Sequence, residues 1–364
     1  MNKQNILDIL GTIPVESSNI KNVEIVSNRV LVELKIGNPT LQAKKKLELD
    51  VTKAIKATYV EADVKVLVEG TIATQTVKIE PERPLPNVKN IIAVASGKGG
   101  VGKSTVTANI AVTLAKMGFS VGILDADVYG PSMPIMFDVA NERPTANKVN
   151  GKDMIKPVES HGVKILSLGF FVDPNEAVIW RGAMANKALN QLLFDADWGT
   201  LDFLLVDLPP GTGDIHLTMV QAVPLTGAVV VSTPQPVALA DAKKGVAMFA
   251  QDSISVPVFG IVENMSYFTP EELPDNKYYI FGKDGAKNLA KDIETEFLGE
   301  IPLVQSIRES GDVGQPVALQ EGTPLEEAFI KITQNMLTQL VKRNKDLPPT
   351  EVVRITNTSG CAAN

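Results

Sequence analysis

A glycine-rich run that contains two lysines is the part of the sequence best suited to chemistry. It reads Gly97-Lys98-Gly99-Gly100-Val101-Gly102-Lys103-Ser104, which is the spacing of a phosphate-binding loop. Glycines let successive backbone N–H groups point at phosphate oxygens, and a helix that begins there adds its partial positive charge. In this pattern Lys103 reaches the β- and γ-phosphates and the Ser104 hydroxyl binds Mg²⁺. The run therefore predicts a site for a nucleoside triphosphate.

Two carboxylate motifs later in the chain complete the expected site. Asp125 and Asp127 end one apolar run, and residues two apart on a strand share a face, so both are expected to face the phosphates. Asp207 ends a second apolar run and is predicted to hold Mg²⁺ through water. The glycines of residues 209–214 would let the backbone respond to the γ-phosphate and so act as a nucleotide switch.

A parallel sheet is needed to bring these motifs together, and the second part of the chain has the pattern of one. Short aliphatic and β-branched runs alternate with helical stretches such as Thr105–Met117, which suits strands buried on both faces. The runs are Ile91–Ala95, Val121–Leu124, Phe203–Val206, Ala228–Val231 and Val258–Val262. The expected fold class is α/β, a doubly wound, mostly parallel sheet with ligands at the carboxyl ends of its strands.

A small α+β domain is expected ahead of this sheet. Residues 1–80 read helix, strand, strand, helix, strand, and residues 81–89 contain three prolines, which suits an extended linker. The domain with the glycine-rich loop is predicted for residues 90–343, and a flexible tail for residues 344–364.

The composition excludes several classes of protein. With 364 residues, 44% hydrophobic and 21% charged, the chain is long and apolar enough for a large globular core. A net charge of −7 disfavours a nucleic-acid partner, and the longest uncharged run, residues 215–240, contains prolines and a histidine, which disfavours a membrane span. No secretory signal is apparent, so a cytoplasmic location is expected. The single cysteine excludes a disulfide framework and a four-cysteine cluster site within one chain.

The early lysine of the loop, Lys98, resembles the signature of the MinD/ParA-like ATPases, which have a variant P-loop. The resemblance implies that Lys98 reaches the partner's phosphates across a nucleotide-sandwich dimer, that Asp127 positions or activates the attacking water, and that Asn264 reads the adenine edge. Lys98, Lys103 and Asp127 are thus the candidate catalytic residues, and Ser104 and Asp207 the candidate Mg²⁺ ligands. The expected ATP contacts are Gly97, Lys98, Gly99, Gly100, Val101, Gly102, Lys103, Ser104, Thr105 and Asn264.

The order of five further motifs is similar to that of the Mrp or ApbC type of iron–sulfur cluster carrier ATPase. They are residues 127–132, 180–184, 207–214, 263–266 and 307–312. The first domain is similar, more weakly, to the small MIP18-like module often fused ahead of this ATPase. The resemblance implies ATP binding and hydrolysis, a homodimer, and delivery of an iron–sulfur cluster to apoproteins.

The sequence departs from this family at its cluster ligands. The Cys-x-x-Cys pair expected shortly after Asn264 is missing, because residues 267–274 contain no cysteine. Two chains would offer only two thiolates, both from Cys361, whereas a stable cluster takes four. Cys361 is therefore a mobile cluster ligand, a thiol that completes a site with a client or a small thiol, or an exposed, unpaired tail cysteine.

Two other functions are open. A positioning or partitioning switch of the MinD/ParA kind would need an amphipathic tail or a basic patch for membrane or DNA. The apolar stripe of the last predicted helix, Leu325–Arg343, instead indicates core packing. A non-enzymatic scaffold that only binds nucleotide is the other alternative, and the full set of lysines and carboxylates disfavours it.

Overall fold

The computed structural model describes residues 2–13, 19–26, 28–36, 41–70, 84–149, 151–172, 182–270, 272–273 and 275–352. The chain divides into two compact units, Met1–Thr76 and Val77–Asn364. The expected domain boundary at residue 80 stays a prediction, because residues 71–83 lie outside the described ranges. The first strand of the second unit begins at Val88, inside the segment predicted as linker.

The first unit has the predicted order of elements. These are α1 (Lys3–Leu10), β1 (Ile20–Val26), β2 (Arg29–Ile36), α2 (Leu41–Thr58) and β3 (Asp63–Gly70). The β1 and β2 strands are antiparallel, and β2 pairs with β3 in parallel. Apolar residues alternate along β2, so that Val30, Val32 and Leu34 are buried with residues of both helices in one core.

The second unit contains a large sheet and a separate hairpin. Its described strands are β4 (Val88–Ser96), β5 (Val121–Asp125), β6 (Thr145–Val149), β7 (Lys152–Lys156), β8 (Val158–Ser160), β9 (Val163–Ser167), β10 (Leu201–Asp207), β11 (Gly227–Ser232), β12 (Val258–Glu263) and β13 (Phe297–Glu300). Its described helices are α3 (Lys103–Lys116), α4 (Met133–Met136), α5 (Gly182–Phe194), α6 (Asp214–Ala222), α7 (Pro236–Ala250), α8 (Gly285–Asp292), α9 (Gln305–Asp312) and α10 (Pro324–Asp346).

The large sheet has eight strands in the order β13-β12-β11-β4-β10-β5-β9-β8. Every neighbouring pair is parallel except β8 and β9, so the predicted doubly wound, mostly parallel sheet is confirmed. In this order β10 lies between β4 and β5, and Asp207 is in register with both Val94 and Asp125. The sheet therefore brings the carboxylates and the glycine-rich loop to one edge, although they are far apart in the sequence.

The helix that follows the glycine-rich loop, α3, and the last helix, α10, are both packed into the core. The residues of α3 are buried on nearly all sides, because the helix contacts both the central strands and α10. The apolar stripe predicted for the last helix is buried as expected, with Phe329, Ile332, Met336 and Leu340 at 0% exposure, although α10 continues to Asp346.

Among the described residues, no helix combines the length and apolarity needed to cross a lipid bilayer.

Candidate nucleotide-binding site

The glycine-rich loop joins the end of β4 at Ser96 to the start of α3 at Lys103. Gly102 precedes the helix with a φ of 80°, a left-handed conformation that favours glycine, and a Cβ there would overlap the side-chain amide of Asn264. The loop is braced from outside, because Asn264 Nδ2 donates to Val101 O over 2.8 Å and Ser96 Oγ donates to Lys98 O over 3.0 Å.

Lys103 lies at the centre of a buried group of charges. Its side chain is 5% exposed, and its Nζ lies 2.8 Å from Asp207 Oδ2 and 3.8 Å from Asp127 Oδ2. Nζ also lies 3.2 Å from Ser104 Oγ. A buried lysine needs such partners, because an uncompensated charge is costly away from water. The structure thus brings together four of the residues that the sequence singled out.

Asp207 ends β10 and is fully buried. Ser104 Oγ donates to its Oδ2 over 2.6 Å, and Thr107 Oγ1 donates to its Oδ1 over 2.7 Å. A serine hydroxyl beside a carboxylate offers the hard oxygen donors that Mg²⁺ prefers, so these residues fit that ion. Thr107 was missed by the sequence analysis, although its position one helical turn after Lys103 could have signalled it.

Asp125 and Asp127 have different surroundings, which corrects the expectation that both face the phosphates. β5 ends at Asp125, so the alternation of a strand does not extend to Asp127. Asp125 is fully buried, and its carboxylate accepts hydrogen bonds from the backbone of Asp127, Ser132 and Met133 and from Ser167 Oγ, at 2.9 to 3.2 Å. Asp125 therefore fixes the loop that carries Asp127.

Burial dominates the acid–base behaviour of both carboxyls. Burial, followed by the nearby charge of Asp207, raises the pKa of Asp125 to about 7. Burial also raises the pKa of Asp127 above its ordinary value, and the charge of Lys103 opposes that rise. The Oδ1 atom of Asp127 is buried without a hydrogen-bond partner in the described part of the chain.

Two adjoining cavities open over the loop. The first, of about 220 Å³, is lined by the residues 99–105 together with Ser96, Asp127, Ser132, Met136 and Pro210. The second, of about 320 Å³, is lined by Asn264, Arg308 and Asp312 among others, and has a largely apolar wall that includes Ile135 and Leu303. A polar cradle beside an apolar cavity suits the phosphates and the base of a nucleotide.

The remaining predicted residues lie as follows. Lys98 is half-buried, and its ammonium forms no ion pair with any residue that the structure describes. Gly97 packs so closely against α7 that a Cβ would overlap the backbone of Asp241. Thr105 lines both cavities. Cys361 lies outside the described residues, as do Trp180 and Arg181.

The two histidines differ from each other. His161 Nε2 lies 3.2 Å from Gly314 O, so this ring has a hydrogen-bond partner. His216 is 1% exposed, and neither of its ring nitrogens has a hydrogen-bond partner within the described ranges. Burial lowers the pKa of this imidazole to about 4.

The segment that follows Asn264 is closed by aromatic residues rather than by cysteines. Phe268 and Tyr278 exchange two backbone hydrogen bonds of 2.8 Å, and Lys277 Nζ lies 3.8 Å above the ring of Tyr267. No group of three or more histidine, cysteine, aspartate or glutamate side chains suited to a metal ion occurs among the described residues. The described residues of this segment therefore do not provide the thiolates of a cluster site.

Comparison with known proteins gives one consistent result. Residues 87–337 match the family model described as ParA, NUBPL iron-transfer P-loop NTPase. The chain is 44% identical over 308 residues to the iron-sulfur cluster carrier protein of Synechocystis, covering 84% of this chain and 86% of that protein. It is 49% identical over 264 residues to the iron-sulfur cluster transfer protein NUBPL of Dictyostelium discoideum, covering 72% and 80%. A solved nucleotide-binding protein from Archaeoglobus fulgidus, in complex with ADP, is 38% identical with a TM-score of 0.56, covering 66% of this chain and 92% of that one.

Proposed function

Because the chain belongs to the NUBPL iron-transfer P-loop NTPase family, we propose that it is an ATPase that carries iron–sulfur clusters to apoproteins. In this proposal it binds ATP with Mg²⁺ over the glycine-rich loop and works as a homodimer. One observation carries the ATPase part, namely that Lys103 Nζ lies within 4 Å of Asp207, Asp127 and Ser104 in one buried group.

Phosphate binding follows from the position of Lys103. The β- and γ-phosphates of ATP compete with Asp207 and Asp127 for the lysine ammonium, and the backbone N–H groups of the loop supply further donors. We assign Asn264 to the base and Thr105 to the phosphates, and the position of both residues at the second cavity supports this.

The Mg²⁺ site is assigned to Ser104 and Asp207. Ser104 would hold the ion through its hydroxyl and Asp207 would hold it through water. Thr107 keeps the Asp207 carboxylate in place, because its hydroxyl donates to Oδ1. Mg²⁺ supplies charge neutralisation at the phosphates when it is bound.

Water activation is assigned to Asp127. A carboxylate accepts the proton of the attacking water as the bond from water oxygen to the γ-phosphorus forms and the bond to ADP breaks. A pKa raised by burial makes this carboxylate a better base than an exposed one. Lys98 acts in trans on the partner's ATP, since it forms no ion pair with any described residue of its own chain.

The iron–sulfur cluster is the part of the proposal for which this chain offers the fewest ligands. Relatives named as carrier and transfer proteins support it, but this chain has one cysteine, Cys361. We assign two thiolates of the homodimer to the two Cys361 side chains, and the remaining ligands to a client protein or a small thiol.

ATP hydrolysis tests the first part. The native protein is expected to release phosphate from MgATP, and Lys103→Ala and Lys98→Ala to lose nearly all of that activity. Lys152→Ala is the matched control, because Lys152 is an exposed lysine paired with Asp195 away from the site. Activity of Lys103→Ala equal to that of the control would refute the ATPase assignment.

Iron and acid-labile sulfide per dimer, measured after anaerobic reconstitution, test the cargo. We expect a cluster on the native protein and little on Cys361→Ser, with ATP hydrolysis the same in both. If the native protein holds no iron, the carrier assignment fails while the ATPase assignment stands.

A further inference from the structure

Ser132 occupies a position where serine normally has a structural task. It is the N-cap of α4, and an N-cap serine usually accepts a hydrogen bond from the backbone of the first helical turn. Here the side chain makes no such bond. The N–H groups of Ser132 and Met133 instead donate to Asp125 Oδ2, and Pro134 has no N–H to offer. The capping task is therefore performed by Asp125.

The Ser132 hydroxyl is left buried and unsatisfied. Its Oγ has no hydrogen-bond partner within the part of the chain that the structure describes. A buried hydroxyl without a partner costs free energy, whereas alanine at the same place would cost none. Such a group in a folded protein calls for an explanation, and a ligand is one of the few available.

The position of the residue indicates which ligand atoms it meets. Ser132 lines both cavities over the loop, and only three other residues do so, Gly102, Thr105 and Met136. Of these four, only Ser132 and Thr105 have hydroxyl side chains. They mark the junction between the phosphate cradle and the second cavity, which Asn264 lines. In the proposed site the γ-phosphate lies in the cradle and the base in the second cavity. The group that occupies such a junction in an extended nucleotide is the α-phosphate.

We propose that the Ser132 hydroxyl donates a hydrogen bond to the α-phosphate of the bound adenine nucleotide. This inference rests on the proposed function, since it takes the two cavities as one nucleotide site. A χ1 rotation can bring the hydroxyl to the ligand without disturbing Asp125, because the bonds to Asp125 come from backbone atoms.

The contact has a consequence for the loop that carries Asp127. Asp127 and Ser132 are both tied through their N–H groups to Asp125. A nucleotide held by Ser132 therefore steadies the same loop that presents Asp127, with ADP as much as with ATP, because both contain the α-phosphate.

Dissociation constants for ADP and ATP test the proposal on the full chain. We expect Ser132→Ala to weaken both nucleotides by a similar factor of about 10, the scale of one hydrogen bond to a charged group. Ser132→Thr, which keeps the hydroxyl, should bind much as the native protein does. Ser160→Ala is the matched control, because the Ser160 hydroxyl donates to Phe137 O in the usual structural way.

Thermal unfolding separates a ligand contact from a structural role. Without nucleotide, Ser132→Ala should unfold at the native temperature or slightly above it, and the rise produced by ADP should be smaller. The proposal is overturned if Ser132→Ala binds ADP as tightly as the native protein, if only ATP is weakened, or if the variant is less stable without nucleotide. If the native protein binds neither nucleotide, the proposed function itself fails, which is a different result.

Discussion

At the scale of single residues, the site depends on how Asp207 is held. Its two carboxylate oxygens have different partners, with Ser104 and Lys103 on Oδ2 and Thr107 on Oδ1. A carboxylate fixed at both oxygens cannot rotate away when an ion approaches, which favours a defined coordination geometry.

Thr107→Val removes the bond to Oδ1 and keeps the shape of the side chain. The Mg²⁺ concentration for half-maximal ATP hydrolysis should rise by about 10-fold or more, because partners behind a metal ligand commonly contribute that much to affinity. Thr107→Ser keeps the hydroxyl and should behave as native in the same titration. An unchanged Mg²⁺ dependence in Thr107→Val would mean that Asp207 needs no such support.

His216 makes stability sensitive to acid. The folded imidazole stays neutral to about pH 4, whereas an unfolded histidine takes up a proton near pH 6.5. The unfolded chain therefore binds the extra proton, and this contribution to stability is lost as the pH falls from 6.5 toward 4.

His216→Leu should reduce that loss. Urea unfolding between pH 6.5 and 4.5 is expected to show a slope about 1 kcal/mol per pH unit smaller than that of the native protein. At pH 7 the variant should be as stable as native or more so, because it also removes two unsatisfied buried nitrogens. Equal slopes for the two proteins would contradict the buried, neutral state.

The sequence predicted which side chains of the candidate site lie together better than it predicted their individual surroundings. Lys103, Ser104 and Asp207 were expected at one edge of the sheet because of the loop spacing and the carboxylate at a strand end, and they are in contact there. The surroundings of Asp125, Ser132 and His216 could not be assigned, because they depend on how the loop after β5 folds back onto Asp125 and on which side chains the tertiary packing buries.

At the scale of elements, the close packing of α7 against the glycine-rich loop is the feature most sensitive to substitution. A Cβ at Gly97 would overlap the backbone of Asp241 and Ala242, neither of which can move without shifting the helix. At Gly99, two positions along, the nearest atom to such a Cβ is 3.9 Å away on the Pro210 ring.

Gly97→Ala should therefore lower the free energy of unfolding by about 1 to 3 kcal/mol, the usual cost of forcing atoms into a packed site. Gly99→Ala should change it by less than about 0.5 kcal/mol, although it lies in the same loop. Urea unfolding of both variants without nucleotide makes the comparison. Similar losses for the two would show that the loop, rather than α7, sets the constraint.

Four strands that the sequence analysis did not predict have one of two properties. The β6 and β7 strands are exposed and contain several polar residues, and β8 and β13 have only three or four residues. Hydrophobic periodicity needs a longer, half-buried stretch to give a signal. The buried strands β4, β5, β10, β11 and β12, by contrast, were predicted to within a few residues, because both of their faces are apolar.

At the scale of the whole molecule, the role proposed for Lys98 at the partner's site would make two copies of the chain interdependent. In a two-fold dimer each site would combine Asp127 of one chain with Lys98 of the other. A variant lacking Lys98 and a variant lacking Asp127 would then be inactive for opposite reasons.

Mixing these two variants tests that arrangement. Lys98→Ala and Asp127→Asn should each hydrolyse ATP at a small fraction of the native rate. An equimolar mixture should recover about a quarter of the native rate, since half of the dimers are mixed and each mixed dimer has one complete site. No recovery, in protein shown to exchange subunits, would place Lys98 at the site of its own chain.

The contact between Lys103 and Asp207 has a consequence for which form of ATP the protein accepts. Lys103 Nζ and Asp207 Oδ2 lie 2.8 Å apart, so their opposite charges already neutralise each other. Free ATP would bring only negative charge toward two carboxylates, and would have to separate Lys103 from Asp207 without offering Asp207 anything in exchange. ATP complexed with a divalent cation lets both side chains exchange partners at once, the lysine taking phosphate and the aspartate facing the cation. We therefore expect a preference for the metal complex, set by an ion-exchange equilibrium whose two side chains the fold has already paired.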